Sequence, residues 1–245
     1  MRRFRTHAGH ALYEQGRLGG LHDGLPVSEA LSMGVHESQS LLWERCVALS
    51  RPFAAFLLPR LRAAFPQLPA DRTADDLFAA LNRVATRSAI RVEADELHYP
   101  LHIILRYELE SALLRGDIKV EDLPRLWNEK MKAYLGVTPE NDAEGVLQDV
   151  HWSAGAIGYF PSYTLGAMMA VQIFAAAKRD LPTLDDDLAA GRFSGLKGWL
   201  NTHVHALGSL HGDADALMTA ATGEPLRPKY FLDYLRSKYS SIYKL

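Results

Sequence analysis

Cysteine is almost missing from this chain: Cys46 is the only one in 245 residues. An intrachain disulfide framework is therefore impossible, which excludes the small stapled secreted folds and fits a reducing cytoplasm. Long apolar runs are missing too. Even Tyr163 to Ala177 falls short of the ~20 residues a membrane helix needs, and Gln172 interrupts it. Charge of one sign is not in excess: the formal net charge is −2, so no basic field points to nucleic acid or to an acidic membrane surface. Met-Arg-Arg-Phe-Arg opens the chain with basic residues, but no apolar stretch of signal-peptide length follows. What is present is the composition of a soluble, cytoplasmic protein, 48% hydrophobic and 23% charged, long enough for one sizeable core.

Helix signals dominate. The pattern predicts a first helix from near Thr6 to Gln15, stopped at Gly16, followed by a turn-rich loop from Gly19 to Pro26. Ser28 reads as the N-cap of a long helix to Leu49, ended by Pro52. Further helices are expected over Phe53 to Ala64, from the Thr73-x-x-Asp76 start to Val84, Asp95 to Arg115 and Val120 to Leu135. Tyr163 to Lys178, Phe193 to Ala206, Asp213 to Ala221 and Lys229 to Ser240 complete the set. Between Ser88 and Glu93, Ile90 and Val92 alternate with Arg91 and Glu93, which favours a short strand. The fold expected is mainly α, a bundle-like single helical domain over residues 1–245 with one small strand element.

Two stretches carry chemistry. His7-Ala8-Gly9-His10 lies on the first helix, and Gly34-Val35-His36-Glu37-Ser38-Gln39 on the second. A helix offering two imidazoles and a later helix adding a carboxylate is the donor pattern of a zinc peptidase. His-Glu-x-x-His usually begins that pattern, with its histidines one turn apart and its Glu polarising the bound water. Here the register ending at His10 reads Thr6-His7-Ala8-Gly9-His10. His7 and His10 lie about 60° apart on one helix face, so a distorted two-histidine site is possible. The plainer reading makes His10 a helix histidine bonded to a carboxylate, with His7 in a frayed first turn. Glu37 is either a solvated carboxylate or part of a polar cluster that lines a cleft.

Gly145 to Trp152, followed by Gly155, Gly158, Tyr159, Phe160 and Tyr163, reads as an ordered loop presenting Asp149 and His151, or as a turn held by aromatic packing. Arg91 either clamps a carboxylate bidentately or pairs with nearby Asp95, the commoner outcome.

Read together, these segments resemble the carboxypeptidase Taq family of zinc metallocarboxypeptidases. The resemblance runs through His10-Ala11-Leu12-Tyr13-Glu14-Gln15-Gly16, His36-Glu37-Ser38-Gln39, Ile90-Arg91-Val92-Glu93-Ala94-Asp95 and Gly145-Val146-Leu147-Gln148-Asp149-Val150-His151-Trp152. It continues through Ala221-Thr222-Gly223-Glu224-Pro225 and Tyr230 to Leu235, covering the chain from Ala8 onward. It implies a helical homodimer with a deep groove and zinc at its floor, or cobalt in its place, acting on peptide C-termini. His10 and Glu37 fall on the second and third metal-ligand slots, with His7 a candidate for the remaining one. Arg91, His151 and a following tyrosine, Tyr159 or Tyr163, fall where the family holds substrate.

The first ligand slot reads Thr6, and the general-base slot reads His7 or nothing. No intact catalytic set is expected, and metal should be weakly bound or absent. The chain is expected to be the C-terminal half of such a peptidase, truncated and impaired. The alternative is an inactive fragment that keeps only dimerisation or other interaction surfaces.

Overall fold

The computed structural model describes residues 2–17, 23–84 and 88–245, with the side chains of the first helix from Ala8 onward. Eleven α-helices form among them. They are α1 (Arg2–Arg17), α2 (Met33–Leu41), α3 (Arg51–Ala64), α4 (Ala74–Leu81), α5 (Tyr99–Arg115), α6 (Leu123–Leu135), α7 (Pro161–Asp180), α8 (Leu184–Ala189), α9 (Ser194–His203), α10 (Ala214–Thr222) and α11 (Pro228–Tyr243). The all-α expectation holds, without the strand element: the described residues contain no strand.

The chain divides into two compact units. One takes the segments up to Leu81 and from Leu165 onward; the other is Asn82–Thr164. In the first, small residues let helices come close. Ala167, Ala170, Ala176 and Ala177 of α7 are buried together with Tyr13, Leu42, Leu188, Leu196 and Met218. In the second, Leu105 and Leu109 of α5 pack with Trp127, Met131 and Leu135 of α6. Each buried leucine or methionine among these contributes roughly 1.5–3 kcal/mol through burial.

Caps explain several boundaries. Thr73 and Asp76 form the expected reciprocal pair, each side chain bonded to the other's backbone N–H at 3.1 and 2.8 Å. Gly116 and Gly136 take the left-handed conformation and end α5 and α6. Ser28, however, is not the cap of α2. Its hydroxyl donates to the Leu25 carbonyl at 2.7 Å inside a short 3-10 turn, while Ala30 and Leu31 pack onto the core. Ser32, in extended backbone, caps the helix by accepting from the Val35 N–H. From Leu42 to Ala48 the helix widens to a π-helix, in which Leu49 N–H reaches the Glu44 carbonyl, and Leu42, Cys46 and Val47 all become buried.

The expected strand at Ser88 to Glu93 is a 3-10 turn over Arg91–Glu93. The reason is one side chain. Arg91 N–H donates to Gln148 Oε1 at 2.8 Å, and Gln148 Nε2 donates to the Ala89 carbonyl at 3.0 Å. An amide thus satisfies the backbone groups that a partner strand would have paired. Helix α5 begins at Tyr99 rather than Asp95, because Asp95 Oδ1 accepts from the N–H groups of Leu97 and His98 in the turn before it.

Helix α1 lies backbone to backbone against α2. A Cβ on Gly9 would lie 2.5 Å from Ser40 Cα and 2.7 Å from the Gln39 carbonyl oxygen, both backbone atoms that have nowhere to go. Gly9→Ala should therefore lower stability by roughly 1–3 kcal/mol, even though alanine is the better helix former by about 1 kcal/mol. A urea titration comparing midpoints checks this, and an unchanged or raised midpoint would contradict the close packing.

Candidate metal centre and carboxylate site

Because Gly9 lets α1 lie against α2, the next residue on α1 meets the polar cluster of α2. His10 Nε2 stands 3.3 Å from Glu37 Oε2. On its other side, His10 Nδ1 is 2.6 Å from His36 Nδ1, and His36 Nε2 is 2.7 Å from Glu14 Oε1. Glu14 is held in turn by Arg17, which also donates to the Ser28 carbonyl. Burial opposes ionisation of Glu14, but hydrogen bonds from His36 and Arg17 win and keep its carboxyl below the usual range.

The rest of the α2 polar cluster does not line a cleft. Ser38 and Ser40 bond back to carbonyls of their own helix, and Gln39 Oε1 faces His205 Nε2 at 2.9 Å, all fully buried. His205, pushed down to about 4 by burial, sits there as a neutral imidazole.

Do these groups suit a metal ion? Zinc bonds of about 2.0–2.2 Å in tetrahedral geometry put neighbouring donor atoms roughly 3.3–3.5 Å apart. His10 Nε2 and Glu37 Oε2 stand at that separation. His10 also has its far nitrogen held by a second polar group, as metal-bound histidines generally do. These donors fit two corners of a site. Among the described residues no group of three His, Cys, Asp or Glu is placed to hold a metal. The side chains of Thr6 and His7 lie outside the described residues, so the candidate ligand His7 has no geometry here.

The second unit gathers the other sequence candidates. Arg91 does not pair with Asp95, which bonds His98 Nδ1 at 2.7 Å instead. Arg91 grips Asp149, through Nε at 3.1 Å and Nη2 at 2.7 Å, and donates from Nη1 to Tyr99 Oη at 2.7 Å. Arg106, fully buried, donates to the other oxygen of Asp149 from Nε at 2.7 Å. His151 Nε2 lies 2.9 Å from Tyr163 Oη, and its ring stacks near those of Tyr159 and Phe160. The Arg91 guanidinium rests 4.9 Å from the Tyr163 ring. Arg91, His151, Tyr159 and Tyr163 thus converge.

Charge in this cluster follows from burial and pairing. Burial disfavours the charge of Arg91, but Tyr99 and Asp149 more than offset it and its pKa rises. Arg106 is pushed down to about 10, chiefly by burial. Burial would raise Asp149, yet the two guanidiniums hold it below the usual carboxylate range. His102, beside Arg106, falls to about 3 through burial and that neighbouring charge. Two guanidiniums on one carboxylate leave the group positive by one unit.

Sequence reasoning missed Arg106, Tyr99 and the roles of Glu14 and His36. Arg106 had a signal: a charge flanked by Ile103, Ile104, Leu105 and Leu109 on a helix is rarely solvated. Tyr99 had none, since only the fold brings it to Arg91.

Asp149→Asn should cost about 3–5 kcal/mol, because it strands two buried guanidiniums; Arg106→Met should cost less, because the Arg91–Asp149 pair survives. The sign with pH follows. A folded pKa below the unfolded value of about 3.9 gives stability that is present above that pH and lost as pH falls through the lower folded value. Urea midpoints measured down to about pH 3 should show this acid limb in the wild type and a shallower one in Asp149→Asn.

Residues 5–239 match the family model described as carboxypeptidase Taq (M32) metallopeptidase. Carboxypeptidase 1 of Bacillus subtilis (strain 168) is 47% identical over 237 residues, covering 97% of this chain and 47% of the relative. Thermostable carboxypeptidase 1 of Thermus thermophilus is 46% identical, covering 96% of this chain and 45% of the relative. Among solved structures, the M32 carboxypeptidase from Deinococcus radiodurans R1 superposes with a TM-score of 0.94 at 42% identity, covering all of this chain and 49% of that one. Metallocarboxypeptidase 1 of Trypanosoma cruzi gives 0.91 at 43% identity, covering 96% of this chain and 47% of that one. The chain spans about half the length of the curated relatives it matches, and it belongs to the carboxypeptidase Taq family of metallopeptidases.

Proposed function

We propose that this chain supplies metal-binding and substrate-holding elements of a zinc-dependent carboxypeptidase that releases residues from peptide C-termini, with impaired activity. The observation that carries the reading is the pair His10 and Glu37, whose donor atoms stand at the separation of two ligands on one cation. These two residues would hold the metal, zinc or cobalt, which when bound polarises a carbonyl and lowers the pKa of water. The chain's residues then divide the remaining work. Arg91 carries five N–H donors, and Asp149 and Tyr99 take three of them, which leaves two for a terminal carboxylate. His151 and Tyr163, hydrogen-bonded to each other beside that guanidinium, would complete the carboxylate site, with Tyr159 against the ring of His151.

The sequence correspondence with His-Glu-x-x-His supports the impairment. Thr6 stands at the first ligand slot and His7 at the base slot. Loss of a general base alone removes a factor of roughly 10²–10⁴. The wider reading is the C-terminal half of such a peptidase, acting in the cytoplasm, for which the lone buried Cys46 is the supporting observation. A homodimer belongs to the same reading. Ile104, Tyr107 and Leu114 give α5 an exposed apolar stripe that a second copy could cover. No helix among the described residues is long and apolar enough to cross a membrane.

The purified protein should lose zinc on dialysis against a mild chelator and release amino acids from unblocked peptides far below the usual 1–10³ per second. The double replacement Thr6→His with His7→Glu should retain zinc and raise release by roughly 10²–10⁴. Stoichiometric zinc kept by the wild type and lost in His10→Ala, together with ordinary turnover, would refute the impaired reading.

A further inference from the structure

Four side chains of α1 and α2 form one row: Glu14, His36, His10 and Glu37, with successive contacts of 2.7, 2.6 and 3.3 Å. The first two are hydrogen-bond distances, and each needs a single proton between its heavy atoms. An ionised carboxylate only accepts, so His36 Nε2 carries the hydrogen it gives to Glu14. In the state with both imidazoles neutral, each ring has one N–H, which leaves a lone pair on His36 Nδ1. His10 must then donate from its own Nδ1, and its Nε2 becomes the lone pair that faces Glu37.

That lone pair meets another, on Glu37 Oε2. The 3.3 Å between them exceeds the 2.7–2.9 Å of a charge-assisted hydrogen bond. It is the spacing of two acceptors that share a cation. The row is built to stay in register. Tyr13, fully buried, sets its ring edge-on to His36 at 5.0 Å, and Arg17 fastens Glu14 from the outer end. The His10 and His36 rings lie 4.7 Å apart with their planes tilted by 50°.

We infer that Glu14 and His36 are positioning residues for His10: they fix its Nδ1–H tautomer and ring direction, so that Nε2 and Glu37 Oε2 present their lone pairs to one divalent cation. The cation part rests on the metallopeptidase reading above; the tautomer part does not. The sequence signature is correspondingly short, a Glu four residues after His10 on α1 and a His immediately before Glu37 on α2.

The test uses the full chain labelled with ¹⁵N. Long-range proton–nitrogen correlation at about pH 8, above the ordinary histidine range, should show His10 protonated at Nδ1 and bare at Nε2 without metal. Glu14→Leu and His36→Phe should each move His10 toward the Nε2–H tautomer, which bonds Glu37 instead. Affinity for cobalt(II), read from its visible absorption, should fall about 10–100-fold in the same variants. Glu14→Gln keeps an accepting oxygen and should restore the tautomer and most of the affinity. A merely structural role would lower the urea midpoint and leave the tautomer alone. An Nε2–H tautomer at His10 in the wild type, or an unchanged tautomer in Glu14→Leu, overturns the inference. If wild type shows the stated tautomer but takes up no cobalt at millimolar concentration, the metallopeptidase reading fails and the positioning role stands.

Discussion

Backbone against backbone at Gly9 is the contact on which the candidate metal centre depends. With no side chain there, α1 settles directly on Ser40 and Gln39 of α2. That contact sets the helical phase of both partners, so His10 follows onto Glu37 and His36 rather than past them. It also explains why the interior turns of α2 are polar. Ser38 and Ser40 are short enough to fold back onto carbonyls of their own helix, and Gln39 finds His205. Larger apolar residues there would hold the helices apart, and charged ones would be left unpaired. From α7, Gly166 comes so near that a Cβ would sit 3.0 Å from Glu37 Cβ. Glu37 thus has its stem packed against the Gly166 backbone, which limits its rotamers, and its carboxylate faces His10.

The second unit solves a different problem, the burial of charge. Removing two guanidiniums and a carboxylate from water is costly, and mutual attraction compensates only when donors and acceptors are well matched. Asp149 meets that condition by giving one oxygen mainly to Arg91 and the other to Arg106. The loop that carries Asp149 is pinned on both sides. Gln148 ties it to the Arg91 turn, while Glu110 accepts from Trp152 Nε1 at 2.6 Å and from the Gly158 N–H at 2.7 Å. A segment with no regular secondary structure is held by three side-chain anchors. Such anchoring would suit a loop that carries a recognition group, as the proposed carboxylate site requires.

Much of this was legible in the sequence, and the misses share a cause. Local signals worked: glycine at the ends of α5 and α6, the Thr73–Asp76 pair, and the helical placement of His10 and Glu37. Failures came wherever a distant side chain settled a local choice. Alternation at Ile90 and Val92 favoured a strand, but Gln148, more than fifty residues on, supplied the hydrogen bonds that a strand would have sought. Arg91 had Asp95 nearby in sequence and took Asp149 instead, because Asp95 was already occupied by the turn it caps. Ser28 and Ser32 are equally good caps by type. Packing of Ala30 and Leu31 onto the core decided between them. The π-helical turn leaves no sequence mark, since it is set by which residues the core accepts.

The helical phase of α1 gives positions 6 and 7 distinct meanings. With 3.6 residues per turn, position 6 lies about 40° to one side of His10 and position 7 about 60° to the other. Both positions flank the helical face that carries His10. The chemistry separates them. A threonine hydroxyl is a poor ligand for zinc, which favours imidazole, thiolate and carboxylate. A histidine at 7 offers a good donor from the side where the family pattern puts its base, and one imidazole cannot both bind the metal and take a proton from its water. Completing the site by way of His7 would therefore leave proton transfer to solvent. Leaving His7 free as base would leave two protein ligands, one fewer than the three of most catalytic zinc centres. On the proposed reading the constraint would sit in two consecutive residues, while His10 is contacted from its far side by His36, and His36 in turn by Glu14.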